Sequence, residues 1–510
     1  MDSEGVFQHL LNNLFFEYVC NTLLLFLGVG TLSGIMGIST AWFVTMYSFP
    51  LKKILEWALV LPLAIPTYLA AYVYTDLLSY SGPVQSLVRS FMGNNYSENL
   101  IDIKNIGGAV LLFSLVLYPY VYISCRAAFI EQSICFIEVA KTLGKTRIQV
   151  FIQIALPLAR PAMIAGLSLV LMETIADFGG VDYFAIDTFT TGIYRAWFAM
   201  DSQVGASQLA ACLLLFVFIL IYIERWSRRR KSYQNTNRYC CIDPKVITGM
   251  KGWFYLFIFS IPFVGGFLIP VVRLLYLNFI ISEGSRVVLS PLAWNSFLLA
   301  ITTALFAGLI SLLVCYGCRM FPSVIKRQAI RFILMGYALP GTVIAIGVLI
   351  PFNWLDHRVG MSLQKWFQTD SALIFSGSLF ILIFAYLVRF LSVSMGSVEA
   401  GLGKVGNSID SAAKSLGSSS MKLIRKIHLP MIKASFLSAM LMVFVDVMKE
   451  LPATLILRPF NYDTLAVRVY HLASDERLAD AAAPSLLIVV VGIFPVIIIS
   501  RIISRARLGS

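Results

Sequence analysis

Glu138 to Pro157 reads EVAKTLGKTRIQVFIQIALP, and Ser411 to Pro430 reads SAAKSLGSSSMKLIRKIHLP. At a constant offset of 273 residues Ala140 falls on Ala413, Lys141 on Lys414, Leu143 on Leu416, Gly144 on Gly417, Ile154 on Ile427, Leu156 on Leu429 and Pro157 on Pro430. No gap is needed. A repeat unit far longer than the roughly 20–50 residues of solenoid modules marks a duplicated domain. A connecting loop would explain one copy, but two copies in register call for a shared role.

The local physics of this handle is a short helix, a turn and a second helix. Ala140, Lys141 and Leu143 favour helix, and Gly144 suits the positive φ that ends one. Leu156-Pro157 is expected to stop the next segment, because proline pushes the preceding residue out of the α region. The exposed side is basic, with Lys141, Lys145 and Arg147 in the first copy and Lys414, Lys422, Arg425 and Lys426 in the second.

Composition sets the class. With 510 residues, 58% hydrophobic, 13% charged and a mean hydropathy of +0.80, the chain is too apolar for a soluble protein. Runs of about 20 apolar residues point to helices, which satisfy every backbone polar group within lipid. They fall at 20–46, 54–77, 106–127, 160–182 and 206–224, then 253–278, 293–317, 329–352, 371–392, 431–455 and 483–504. Eleven spans result, and 253–278 has no partner at the start of the chain. The expected domains are a first transmembrane domain (1–225), a basic linker (226–251) carrying Arg228 to Lys231, and a second transmembrane domain (252–510).

The net charge of +13 speaks for topology and against nucleic acid. Placing both handles in the cytosol puts 29 of the 40 Lys and Arg residues there and ten outside, Lys449 lying within a span. The positive-inside rule then orients the chain in the inner membrane with its N-terminus outside and its C-terminus cytosolic. The first 19 residues hold no Lys or Arg, so a cleavable signal is not expected. Leu61-Pro62 and Leu339-Pro340 sit inside apolar runs as matched kinks, and Gly28, Gly30, Gly34, Gly341 and Gly347 read as packing positions.

Behind each handle the span carries two acids four residues apart. The 273 offset pairs Glu173 with Asp446 and Asp177 with Glu450. A charge at the bilayer centre costs about 2.5–3.5 kcal/mol on insertion scales, so these groups are expected to face a cavity or a partner. Lys449 stands three residues from Asp446 and next to Glu450, so part of the second pair neutralises itself. The same offset matches Arg195 with Arg468 and Thr191 with Thr464 in the outer segments. These charged residues are the candidates for the translocation pathway.

The handle pattern, Glu-Ala-Ala, three residues, Gly, nine residues, Ile, one residue, Leu-Pro, resembles the EAA loop of permease subunits in bacterial binding-protein-dependent ABC importers. The first copy matches at Glu138, Ala140, Gly144, Ile154, Leu156 and Pro157 and departs at Val139. The second matches at Ala412, Ala413, Gly417, Ile427, Leu429 and Pro430, with Ser411 in place of the glutamate. The resemblance implies an all-α, duplicated, MetI-like fold of the type I importers. It also implies handles that couple to two ATP-binding cassette subunits, and a periplasmic substrate-binding protein. A narrower likeness follows from Glu173-Thr174, Ala176 to Gly179, Val181 to Phe184 and Thr188 to Phe198. Together with Lys449 to Thr454, Pro459 and Leu465 to Arg468, these resemble the ferric iron importer permeases. That likeness implies import of Fe(III).

Other chemistries are not supported. Gly144-Lys145-Thr146 ends like a P-loop, but Val139 stands where its first glycine belongs, so ATP is expected to be used by the partner, with no cofactor on this chain. Cys315-x-x-Cys318 lacks a second pair, and His9, His357, His428 and His471 show no ligand spacing, so no metal site is assigned. Other small-substrate permeases, for thiamine or phosphonate, share the handle. A proton-driven secondary transporter could use repeats and intramembrane carboxylates without it.

Overall fold

A computed structural model describes residues 12–92, 102–131, 144–229, 245–281, 289–320, 323–360, 375–403, 405–406, 408–410, 415 and 420–505. Among the described residues the regular structure is helical, apart from a two-residue parallel pairing of β1 (Tyr47–Ser48) with β2 (Lys245–Val246). In the first half the helices are α1 (Phe15–Met46), α2 (Lys52–Ala58), α3 (Thr67–Leu78), α4 (Pro83–Met92), α5 (Ile106–Glu131), α6 (Arg147–Val150), α7 (Leu156–Ala176), α8 (Gly179–Tyr183), α9 (Phe189–Phe198) and α10 (Gln203–Arg229). Next come α11 (Met250–Phe263) and α12 (Ile269–Tyr276). The remainder are α13 (Leu289–Met320), α14 (Val324–Ile333), α15 (Gly341–Leu355), α16 (Leu379–Gly403), α17 (Ser420–Leu423), α18 (Leu429–Met448), α19 (Pro452–Leu457), α20 (Leu465–Ser474) and α21 (Leu478–Arg505).

Among the described residues nine helices are long and apolar enough to cross a membrane, and two bent pairs raise the number to eleven. All eleven apolar runs of the sequence are accounted for. The duplication is visible in the starts. Helices α1 and α13 begin 274 residues apart, α5 and α16 273, and α7 and α18 273, while α11–α12 stands without a counterpart.

The described chain groups into two compact units, residues 1–286 with 469–510, and residues 287–468. The segments 252–286 and 469–510, grouped with the second half by sequence, belong by contact to the first unit. In that unit α11–α12 is fixed by named bonds: Tyr74 Oη donates to the Gly265 carbonyl at 2.5 Å, and Arg273 Nε to Asp76 at 2.7 Å. Phe43 also stacks on Phe259 at 4.1 Å. The second unit is centred on Met395, Val398, Leu402, Ile432 and Ala439, where α16 and α18 meet with Cys315 of α13.

Two proline readings are corrected. The breaks in the bent pairs measure 95° and 117°, but the matching residues are Ile65-Pro66 and Leu339-Pro340, not Leu61-Pro62. Ile65 (φ −97, ψ 121) and Leu339 (φ −80, ψ 128) are extended, the conformation that a following proline favours, and each proline caps the next helix. Pro62 is absorbed into a 3₁₀ turn, Leu61–Ala64. At the handles, by contrast, Leu156-Pro157 and Leu429-Pro430 do not stop the helix. Each pair opens α7 or α18 directly after a π turn, Phe151–Ala155 or Ile424–His428. Ile269-Pro270 repeats the device after Val264–Leu268. Proline lacks the N–H for the i−4 bond and its ring crowds that carbonyl, so a one-residue widening of the helix lets the chain run on.

Candidate functional site

Of the handle residues, Glu138, Ala140, Ser411, Ala413 and Gly417 lie outside the described residues. Gly144 has φ +73, the left-handed conformation expected of it, and open space where a side chain would stand. The helix after it starts on a capping box that the sequence reading missed. Thr146 N–H donates to Gln149 Oε1 at 2.8 Å, and Gln149 N–H returns to Thr146 Oγ1 at 3.4 Å. Thr-x-x-Gln was the available signal. Lys145 Nζ adds a bond to Gln153 at 2.5 Å. Ile154 packs with Met46 on buried Val150, and Leu156 and Pro157 lead straight into α7. Ile427, Leu429 and Pro430 hold the same places before and in α18. In each unit the end of the handle is therefore continuous with a span.

Asp177 and Glu450 occupy equivalent places just past α7 and α18. Asp177 Oδ1 accepts the N–H groups of Gly180 (2.8 Å) and Val181 (3.2 Å), and the Thr67 hydroxyl donates to its other oxygen. Glu450 accepts the N–H groups of Ala453 (2.9 Å) and Thr454 (3.0 Å) and the Thr454 hydroxyl (2.6 Å). Each carboxylate thus satisfies the free amides at the start of the short helix that follows, α8 or α19.

The third partner differs between the halves. Where the first half has Thr67, the second has Gly341, and Arg389 Nη1 fills the space 3.3 Å from Glu450 Oε1. A Cβ on Gly341 would stand 2.7 Å from that oxygen and 2.8 Å from the guanidinium. Arg389, at the end of run 371–392 and counted among the cytosolic basic residues, is therefore a buried residue within α16. Arg126 is likewise inside α5, bonded to Glu56 of α2 at 2.9 Å. Both stand at the ends of apolar runs, and nothing in the linear pattern showed that each is held by a buried acid.

The other charged candidates separate. Lys449 pairs with Asp446 at 3.0 Å, as the three-residue spacing suggested. Glu173 is half-buried on α7 and has no hydrogen-bond or ionic partner among the described residues. The match of Arg195 with Arg468 does not survive. The N-cap threonines of α9 and α20 are Thr188 and Thr464, an offset of 276, so Arg468 lies one turn nearer the start of its helix than Arg195 does. The residues that do correspond are Asp187 and Asp463. Each binds an arginine, Arg195 or Arg458, and each carbonyl accepts an asparagine amide, from Asn21 (2.9 Å) or Asn295 (3.2 Å). A three-residue insertion between Glu450 and Asp463 hid this.

In the first unit a cavity of about 1150 Å³ lies along α1, α7 and α11 and is nearly all apolar, with Lys251 the charged residue on its wall. None of the carboxylates lines it. Among the described residues no cluster of His, Cys, Asp and Glu could hold a metal ion.

A family model described as the binding-protein-dependent transport system inner membrane component matches residues 33–233. The Fe(3+)-transport system permease protein FbpB 2 of Haemophilus influenzae is 23% identical, covering 95% of this chain and 90% of its own length. The ferric transport system permease protein FbpB of Actinobacillus pleuropneumoniae is 25% identical over 96% of this chain and 72% of its own. A putative 2-aminoethylphosphonate transport system permease protein, PhnV of Salmonella typhimurium, is 25% identical over 42% of this chain and 76% of its own. These relatives are named as permease proteins of transport systems. A chain of nine to eleven membrane helices, matched in this way, is a multi-pass protein of the inner membrane. Over residues 33–233 it is similar to the inner-membrane permeases of binding-protein-dependent transport systems, and along most of its length it resembles the ferric iron transport permeases.

Proposed function

We propose that this permease imports Fe(III) handed over by a periplasmic binding protein, driven by ATP hydrolysis in two copies of a partner subunit that grip the handles at 138–157 and 411–430. The observation that carries the substrate is the likeness to ferric permeases along nearly the whole chain, 95% of it in one case, against 42% for the phosphonate relative. Carboxylates suit a hard cation, and the candidates on the pathway are Glu173, Asp177, Asp446, Lys449, Glu450, Arg195 and Arg468. In this reading Asp177 and Glu450 shape the pathway wall by holding α8 and α19, and Glu173 is the acid left available to cargo. The handles and the C-terminus face the cytosol and the N-terminus faces outside, with ATP bound by the partner and no cofactor on this chain.

Phosphonate import is the second reading, favoured by the partial match just given. Uptake of labelled iron and of labelled 2-aminoethylphosphonate into vesicles, each with its candidate binding protein, separates the two. ATP-dependent iron uptake supports the proposal. Uptake of phosphonate alone, or iron uptake that persists without ATP hydrolysis and collapses with the ion gradient, ends it.

A further inference from the structure

The two halves fasten their handles differently. At the base of the second, Asp410, one residue before Ser411, is buried, and both carboxylate oxygens are engaged. Arg319 Nε donates to Oδ2 at 2.8 Å, and His428 Nε2, seventeen residues beyond Ser411, lies 2.7 Å from Oδ1. The same guanidinium donates to the carbonyls of Leu402 (2.5 Å), in the last turn of α16, and Val405 (2.7 Å), just past it. The His428 ring is fully buried and meets Tyr316 of α13 edge to face at 5.5 Å. One carboxylate therefore ties together the end of α13, the end of α16 and the π turn that opens α18. It closes both ends of the loop that carries the handle.

The first half has no such cluster at the matching places. Thr45 stands where Arg319 does and bonds back within α1 to the Ala41 carbonyl at 2.7 Å, while Ala155 stands where His428 does. The position of Asp410 is Ile137, outside the described residues. Among the described residues, the first handle's second helix is held by the apolar contact of Val150 with Met46 and Ile154 and by the Trp42–Phe151 ring contact.

We propose that Arg319, Asp410 and His428 form a positioning latch that fixes the second handle, so that motion of the ATPase reaches the second unit through a rigid polar joint and the first through a softer apolar one. This rests on the reading of the handles as ATPase docking points. Buried hydrogen bonds to charged groups are directional and hold their partners at fixed distances, whereas apolar contacts slide. The latch also offsets the glutamate that Ser411 lacks, by placing a carboxylate one residue earlier as an internal anchor.

The test uses the full permease, reconstituted in lipid vesicles with its ATPase and binding protein, and reads the ratio of stimulated to basal ATP hydrolysis together with uptake. Asp410→Asn and His428→Leu are expected to lower that ratio about tenfold, the effect of one hydrogen bond to a charged group. His428→Gln keeps an N–H for Asp410 and restores the ratio to within about twofold. Thr45→Val, at the matching place in the first half, leaves it unchanged. Equal ratios in His428→Leu and wild type, or equal damage in His428→Gln and His428→Leu, overturn the latch. Should Asp410→Asn give no folded protein, the pair at 428 decides alone. Gly144→Asp and Gly417→Asp serve as the reference: if they leave uptake intact the docking reading fails, whereas if they abolish it and the 428 pair does not differ, only the latch fails.

Discussion

Asp177 and Glu450 each turn back onto amides three and four residues ahead, and the support behind each is what differs. Thr67 offers a neutral hydroxyl to the first, and Arg389 offers a charge to the second. Thr67→Val is expected to cost about 1.5–3 kcal/mol, the worth of a hydrogen bond to an ionised group. Arg389→Met strands a buried carboxylate and should cost about 3–5 kcal/mol. The double change Arg389→Met with Glu450→Gln should lose clearly less than the two single losses added, because no charge is left unpaired. Thermal unfolding in detergent ranks the four proteins, and additive losses would show that the pair is not coupled. At the handle base, burial pushes the Asp410 carboxyl up, but the hydrogen bonds and positive charge of Arg319 and His428 outweigh this and hold it below the ordinary value of 3.8. A lowered carboxylate gives its stabilisation in full above that ordinary value and loses it only as pH falls through the lowered one. Between pH 5 and 8, roughly, the gap in unfolding temperature between wild type and Asp410→Asn should therefore not change through this carboxylate. A gap that closes steadily from pH 8 to 5 would place the controlling group elsewhere.

The elements that couple handle to span are the π turns before Leu156-Pro157 and Leu429-Pro430. Replacing Pro430 by Ala restores the missing N–H, so the helix is free to close into regular α register, and one residue fewer per widened turn rotates the handle about 100° against α18. Pro430→Ala is expected to leave the unfolding temperature unchanged or higher and to reduce uptake several-fold; unchanged uptake would mean that register at this joint does not matter. These turns also mark where the sequence ceased to be legible. The eleven spans, the duplication and the positive φ of Gly144 follow from local rules of apolar length, repeat and steric freedom. Whether an X-Pro pair breaks a helix, as Ile65-Pro66 and Leu339-Pro340 do, or is carried through on a π turn depends on what packs against the crowded carbonyl, which no local pattern encodes. The same holds for Arg389 and Arg126. Their charge was visible, but the buried acid that holds each comes from 61 and 70 residues away.

For the whole molecule, the count of crossings makes a statement that neither unit makes alone. Six apolar runs lie between the end of the first handle and the start of the second: 160–182, 206–224, 253–278, 293–317, 329–352 and 371–392. An even number returns the chain to the face it left, so both handles are expected on one side of the membrane. The excess of Lys and Arg in the loops of that side is expected to make it the cytosolic one. The unpaired α11–α12 is what makes the number even. Were that segment to lie along the surface instead of crossing, the second handle would emerge on the opposite face and could not be reached by a cytosolic motor. Single cysteines at Lys145 and Ser415, in a background with the eight native cysteines replaced, test this with a membrane-impermeant thiol reagent. Both should label in inside-out vesicles and neither in right-side-out ones, and addition of the ATPase should protect both. Labelling of the two positions from opposite sides would remove the basis for a shared drive, whereas one-sided labelling without protection would leave the topology intact and refute the docking.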